Sequence, residues 1–215
     1  MKQDKREVPI VVVKRLPRYY RYLGELLRQG ITRISSGELS AKMGVTASQI
    51  RQDFNCFGGF GQQGYGYNIE KLYNEIAGIL GLSHGYKTII IGAGHLGHAL
   101  ANHSNFAKRG FELVGIFDKN PELIGTIIHD LPVRSVDELE SFCAAQSVDI
   151  AILALPKSAI EMVVPRLVQL KIKGLWNFSY TDIAVPDSVA VENVHLSDGL
   201  MTLSYKITQA NPKGE

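Results

Sequence analysis

Gly92-Ala93-Gly94-His95-Leu96-Gly97 follows the β-branched run Thr88-Ile89-Ile90-Ile91 and precedes a stretch of helical spacing through Leu100 to Lys108. A Gly-x-Gly-x-x-Gly by itself says little. Here it lies between a strand and a helix, and a second strand, Glu112–Phe117, ends in Asp118, twenty-one positions after Gly97. That combination is the fingerprint of a dinucleotide-binding βαβ unit. Gly92 allows the turn, Gly94 lets a pyrophosphate approach the backbone, and Gly97 lets helix and strand pack closely. Ala93, His95 and Leu96 complete the loop, and the helix N-terminus carries the anion. At the strand end, Asp118 can accept hydrogen bonds from both hydroxyls of an adenosine ribose, and its charge repels a 2′-phosphate. NADH or NAD is therefore expected rather than NADP, although Lys119 softens the repulsion.

Downstream the α/β alternation continues. Strands are expected at Ile150–Leu155, Gly174–Trp176 and Val189–Val194, with helices near Val136–Ala145 and Ser158–Leu170. They complete an open, doubly wound parallel sheet. Ala154-Leu155-Pro156 and Asn177-Phe178-Ser179 fall just past strand ends, where such sheets gather their ligand. The last helix carries Leu196, Leu200, Leu203 and Ile207 on one stripe with no later element to cover it. Either its own domain or another subunit must do so.

Upstream the pattern is helical. Leu16, Tyr20, Leu23 and Leu27 share one face of a helix, with Arg18, Arg21, Glu25 and Arg28 opposite and Gly30 as its stop. Ser36 is placed to cap a short helix ending at Gly44. Thr46, with Gln49 three residues on, opens another in a capping-box arrangement. Helix, glycine turn, helix is the spacing of a helix-turn-helix. In its second helix Ala47, Ile50 and Phe54 share one face, and Ser48, Arg51, Gln52 and Asn55 another. The latter side chains are of the kind that read base edges in a major groove. Phe57–Tyr67, glycine-rich with interleaved aromatics, reads as a tight hairpin, the wing of a winged helix. Asn68 then starts a helix through Leu80, and Ser83–Tyr86 is the linker.

The composition bounds these readings. The chain has 215 residues, 45% of them hydrophobic and 20% charged, which fits a soluble globular protein and excludes disorder. Its longest apolar runs are far short of the ~20 residues that span a bilayer, and Met1–Glu7 is too charged to begin a secretory signal. A cytoplasmic location is expected. Cys56 and Cys143 stand in no metal-ligand spacing, and no metal is expected. Residues 1–85 hold twelve Lys/Arg against seven Asp/Glu, and 86–215 hold eleven against fourteen. A basic front on a mildly acidic body points the front alone toward a polyanion.

With these residues in place, nearly the whole chain resembles the Rex family of redox-sensing transcriptional repressors. The likeness runs from Val13-Lys14-Arg15-Leu16-Pro17 through the Ser48–Asp53 helix, the Phe57–Tyr67 hairpin and Gly92–Gly97 to Leu203-Ser204-Tyr205. It implies a winged-helix domain (1–82), a Rossmann domain (83–194), and a C-terminal helix and tail (195–215) exchanged within a homodimer. It also implies binding to palindromic double-stranded operators when NADH is scarce, and release of genes for fermentation, respiration and NADH reoxidation when NADH binds. Thr46, Ser48, Gln49, Arg51, Gln52, Lys14 and Arg15 would meet DNA. Gly92, Gly94, Gly97, Asp118 and Pro156 would hold the dinucleotide. Arg21 matches a switch arginine that pairs with an acid at the start of the partner's last helix. Three positions depart from the family pattern: His195 replaces that acid, His103 stands where some members carry a tyrosine near the nicotinamide, and Gln63 replaces a frequent basic residue of the wing. By the same resemblance His103 of one subunit and His195 of the other would approach the cofactor's nicotinamide. An enzyme, a small NAD-dependent oxidoreductase, is the competing expectation. Against it, residues 87–210 are consumed by the nucleotide fold and hold no Tyr-x-x-x-Lys pair to donate a proton. A third possibility is a redox-blind DNA-binding protein.

Overall fold

A computed structural model describes residues 8–58, 61–62, 65–103 and 105–210. The chain divides into two units, one ending at His84 and the other beginning at Gly85.

The first unit opens with a single turn, α1 (Ile10–Val13), and the amphipathic helix α2 (Leu16–Arg28). Pro17 sits in the first turn of α2, where a missing N–H leaves no hydrogen bond unmade. The buried stripe of α2 is Leu16, Tyr19, Leu23 and Leu26. The expected Tyr20 and Leu27 lie at its border. Tyr19 goes inward because its phenol finds a buried acceptor there, Asp53. After the short strand β1 (Arg33–Ile34) comes α3 (Ser36–Met43). Its cap is Ser35, not Ser36, because Ser35 is the residue three positions before Glu38. The Glu38 N–H donates to Ser35 Oγ at 3.1 Å, and the Ser35 N–H donates back to Glu38 Oε2 at 2.8 Å. Gly44 ends α3 in the left-handed region.

Helix α4 (Ala47–Asn55) is capped by Thr46, whose Oγ1 accepts from the Gln49 N–H. The expected return bond is not made, since the Gln49 amide runs forward to Asp53. Strands β2 (Gly61–Gln62) and β3 (Gly66–Asn68) pair antiparallel, with β1 added on the other side of β3. The hairpin is where the glycines place it; Gln63 lies outside the described residues. Gly66 is obligatory, since at φ +69° a Cβ would stand 2.6 Å from the Ile34 carbonyl oxygen. Helix α5 (Ile69–Ile79), capped by Asn68, packs on α2 through stacked Tyr20 and Tyr73 rings.

The second unit is a seven-stranded sheet: β4 (Tyr86–Ile91), β5 (Phe111–Asp118), β6 (Ile127–Ile128), β7 (Leu131–Ser135), β8 (Ile150–Leu153), β9 (Gly174–Asn177) and β10 (Ala190–Asn193). The order is β10-β9-β8-β4-β5-β7-β6, parallel throughout except for the β6–β7 pair. That antiparallel edge corrects the expectation of a wholly parallel sheet. It turns on His129 and Asp130 at φ +49° and +62°, non-glycine residues that give no strong turn signal. The helices are α6 (His95–Ala101), α7 (Leu139–Ala145), α8 (Lys157–Gln169) and α9 (Leu196–Ala210). Instead of running to Lys108, α6 stops at Ala101, where the Asn102 side-chain amide donates to the His98 carbonyl. The central strands alternate between two cores. Ile89, Ile91 and Leu153 face one, and Ile90 and Ile152 face the other. Burial on both faces is why these strands read as continuous apolar runs.

Candidate nucleotide and operator sites

The glycine loop leaves the end of β4 at the switch point of the sheet, with β5 on one side and β8 on the other. Its three glycines are held to their identity by different things. Gly92 has φ +102°, and a Cβ there would run into the Ala154 carbonyl beyond β8. A Cβ on Gly97 would run into the Gly92 carbonyl oxygen. Gly94, by contrast, is exposed, has an extended conformation open to any residue (φ −66°, ψ −170°), and its Cβ would meet nothing within 4 Å. Among the described residues nothing crowds a side chain at 94.

Asp118 closes over this loop. Its Oδ2 accepts from the Ala93 N–H at 2.6 Å and its Oδ1 from the Asn120 N–H at 2.8 Å. Each oxygen keeps further acceptor capacity for a hydroxyl. Pro156, exposed, caps α8 at the same end of the sheet, where the Ala154 N–H donates to the Ile91 carbonyl. Asn177 and Ser179, expected among the ligand-gathering residues, are buried and committed internally. Asn177 Nδ2 donates to the Thr181 carbonyl and to Asn193 Oδ1, and its Oδ1 accepts from the Ser179 N–H and hydroxyl. They tie the end of β9 to the end of β10.

The two histidines have other neighbours within the chain. His103 stacks on Phe106 with centroids 4.4 Å apart, and both line a cavity of about 320 Å³ that includes Leu100, Phe111 and His129 but no residue of the glycine loop. His195 lies 3.3 Å from Asp182 through Nε2.

In the first unit, Arg51, Ser48 and Gln52 stand exposed on α4, with Lys14 and Arg21 exposed on their own segments. Arg51 Nη1 donates to Ser36 Oγ at 3.1 Å, which holds the guanidinium at the outer surface where α3 and α4 meet. Thr46 uses its hydroxyl to cap α4. Arg15 and Gln49, expected at DNA, turn their polar ends inward to Asp53. Asp53 is 1% exposed and accepts four hydrogen bonds: from Arg15 Nε (2.8 Å) and Nη2 (2.6 Å), Tyr19 Oη (2.8 Å) and Gln49 Nε2 (2.9 Å). Burial pushes this carboxyl up, and the bonds from Arg15, Gln49 and Tyr19 outweigh it, leaving Asp53 below its ordinary range and ionised at neutral pH. Burial, reinforced by the bond to Asp53, carries the Tyr19 phenol well above its usual value. Sequence reasoning missed Asp53. The available signal was its place three residues after Ile50 on the buried side of α4, with Gln49 one turn before it.

Residues 7–55 match a family model described as the N-terminus of a putative DNA-binding protein, and residues 83–181 match a CoA-binding domain. A redox-sensing transcriptional repressor Rex from Thermoanaerobacter pseudethanolicus is 57% identical over 205 residues, which cover 95% of this chain and 92% of that one. The chain belongs to the Rex family. A Rex repressor of Clostridium botulinum is 52% identical, covering 95% of this chain and 97% of its own. Among solved structures, the Rex-family repressor RSP in complex with β-NAD⁺ and operator DNA matches with a TM-score of 0.89 at 56% identity, over 95% of this chain and 94% of that one. RSP with β-NADH matches at 0.87 and 54%, over 95% and 96%. These Rex relatives are repressors by name, not enzymes, and the oxidoreductase alternative falls with them. No helix among the described residues is long and apolar enough to cross a membrane.

Proposed function

We propose that this Rex-family chain, as a cytoplasmic homodimer, holds palindromic operator DNA when NADH is scarce and releases it when NADH occupies the Gly92–Gly97 loop. The observation that carries the nucleotide half is Gly94. Its two companions are glycine because backbone carbonyls crowd them, whereas the space before Gly94 is open. A pyrophosphate laid against the loop needs that open backbone at the N-terminus of α6, and a side chain at position 94 would stand in its way. Asp118 then receives the ribose hydroxyls and repels any phosphate on that ribose, which favours NADH over NADPH and over the phosphorylated ribose of coenzyme A. Replacing Asp118 with Ala is expected to narrow the NADH-to-NADPH affinity ratio. Direct titration of both cofactors measures it, and an unchanged ratio would remove Asp118 from the ribose.

In the operator half, Arg51, Ser48 and Gln52 read the groove and Lys14 meets phosphate. A bidentate arginine carries ~1–3 kcal/mol of base discrimination, whereas a phosphate contact weakens all sequences alike. Arg51→Ala is therefore expected to lose operator binding more than random-duplex binding. Equal loss on both in mobility-shift titrations would move Arg51 to the phosphate backbone.

A further inference from the structure

The side chains on the inner face of α4 divide into two kinds. Ile50 and Phe54 are fully buried, and Phe54 meets the rings of Tyr19 and Tyr67 edge-on at 5.1 and 5.0 Å. Such contacts set how deeply the helix sits, but burial is non-directional and fixes rotation about the helix axis weakly. Asp53 lies beside them with both carboxylate oxygens doubly engaged, by Arg15 at the α1–α2 junction, by Tyr19 of α2 and by Gln49 of α4 itself. The fork of Arg15 grips the carboxylate at two points in one plane, the most geometrically demanding way to hold it. Rotation matters on the other side of the helix. With side chains reaching ~5 Å from the axis, a turn of about 10° moves their ends by about 1 Å, more than the tolerance of a working recognition site.

We propose that Asp53 is the positioning residue of the recognition helix. By taking hydrogen bonds from Arg15, Tyr19 and Gln49 it sets the rotation of α4, and so decides where Ser48, Arg51 and Gln52 point. It does not touch DNA. Arg15 and Gln49 then serve the operator from behind the helix, as Asp53's partners rather than as contacts. This rests on the assignment of α4 to the groove made above.

The alternative is that Arg15 binds phosphate and Asp53 merely stores it, and the two accounts predict opposite results. If Arg15 is a phosphate contact, Asp53→Asn frees a cation and strengthens binding to random duplex, while Arg15→Gln lowers the salt slope of that binding by about one. If Asp53 positions α4, Asp53→Asn lowers the ratio of operator to random-duplex affinity about tenfold, the discrimination of one base pair. Random-duplex affinity then stays within about twofold, and Arg15→Gln leaves the salt slope unchanged.

The experiment titrates full-length wild type, Asp53→Asn, Arg15→Gln, Tyr19→Phe and Arg51→Ala with operator and random duplexes across a salt series, with circular dichroism to verify folding. Tyr19→Phe keeps the ring against Phe54 and removes one bond, so it carries the test should Asp53→Asn not fold; its ratio is expected to fall about threefold, a fraction of the single-base discrimination. A wild-type ratio in folded Asp53→Asn, or in Tyr19→Phe if Asp53→Asn does not fold, overturns the proposal, as does stronger random-duplex binding by Asp53→Asn. If Arg51→Ala loses the ratio while Asp53→Asn keeps it, α4 still reads the groove and only the positioning role fails. If Arg51→Ala also keeps it, the groove assignment fails and takes the proposal with it.

Discussion

Gly94→Ala is expected to fold with wild-type stability and to bind NADH about a hundredfold more weakly, ~2.7 kcal/mol. Gly97→Ala is expected to lose stability itself. At Gly94 an added methyl enters open space, and the backbone there is already one that alanine adopts freely. The methyl meets nothing until a pyrophosphate is laid against the loop, and then it holds the phosphates off the backbone N–H groups. At Gly97 the methyl would occupy the place of the Gly92 carbonyl oxygen. To admit it, α6 must move off β4, an overpacking cost of ~1–3 kcal/mol or more, with NADH binding lost as a consequence. Thermal unfolding without ligand separates the variants, since Gly94→Ala keeps the wild-type midpoint and Gly97→Ala does not. A Gly94→Ala protein with wild-type NADH affinity would remove the dinucleotide from this loop.

A chain ending at Val194 is expected to be monomeric or insoluble. Helix α9 has no buried side chain, and Leu196, Leu200, Leu203 and Ile207 are each 51–69% exposed. Of the two possible covers for that stripe, its own domain is not the one. Each of these side chains gains about 1.5–3 kcal/mol on full burial, and together they form a continuous apolar face, the mark of a protein interface. Light scattering after size exclusion reports the mass. A soluble dimeric truncation that still releases DNA with NADH would contradict dimerisation through α9.

What the sequence made legible follows from how locally each feature is encoded. The glycine loop and its closure by Asp118 were readable because the glycines and the acid form a fixed spacing between strand and helix. The helix boundaries at Gly44 and Asn68 were readable because caps are chosen by a few neighbouring atoms. Ser36 shows how fine that encoding is: the cap is its neighbour Ser35, the residue that stands three positions before Glu38. The inward turn of Tyr19 was hidden because it depends on an acceptor thirty-four residues away. For the same reason the pairing of Arg15 and Gln49 with Asp53 was hidden, since exposed and internally paired polar side chains have the same appearance in sequence. The β6–β7 edge was missed because β6 has only two residues, β7 carries Pro132 and Arg134 among its five, and the turn uses His129 and Asp130 rather than Asn-Gly.

Occupancy of the Gly92–Gly97 loop by NADH is expected to control DNA binding, and titrating the operator complex of the full chain with NADH, NAD and NADPH in parallel at one salt concentration measures whether it does. NADH is expected to dissociate the complex at concentrations where NAD and NADPH leave it intact. Release by NADPH at the same concentration as NADH would contradict the part assigned to Asp118, and a complex indifferent to all three would contradict redox control altogether.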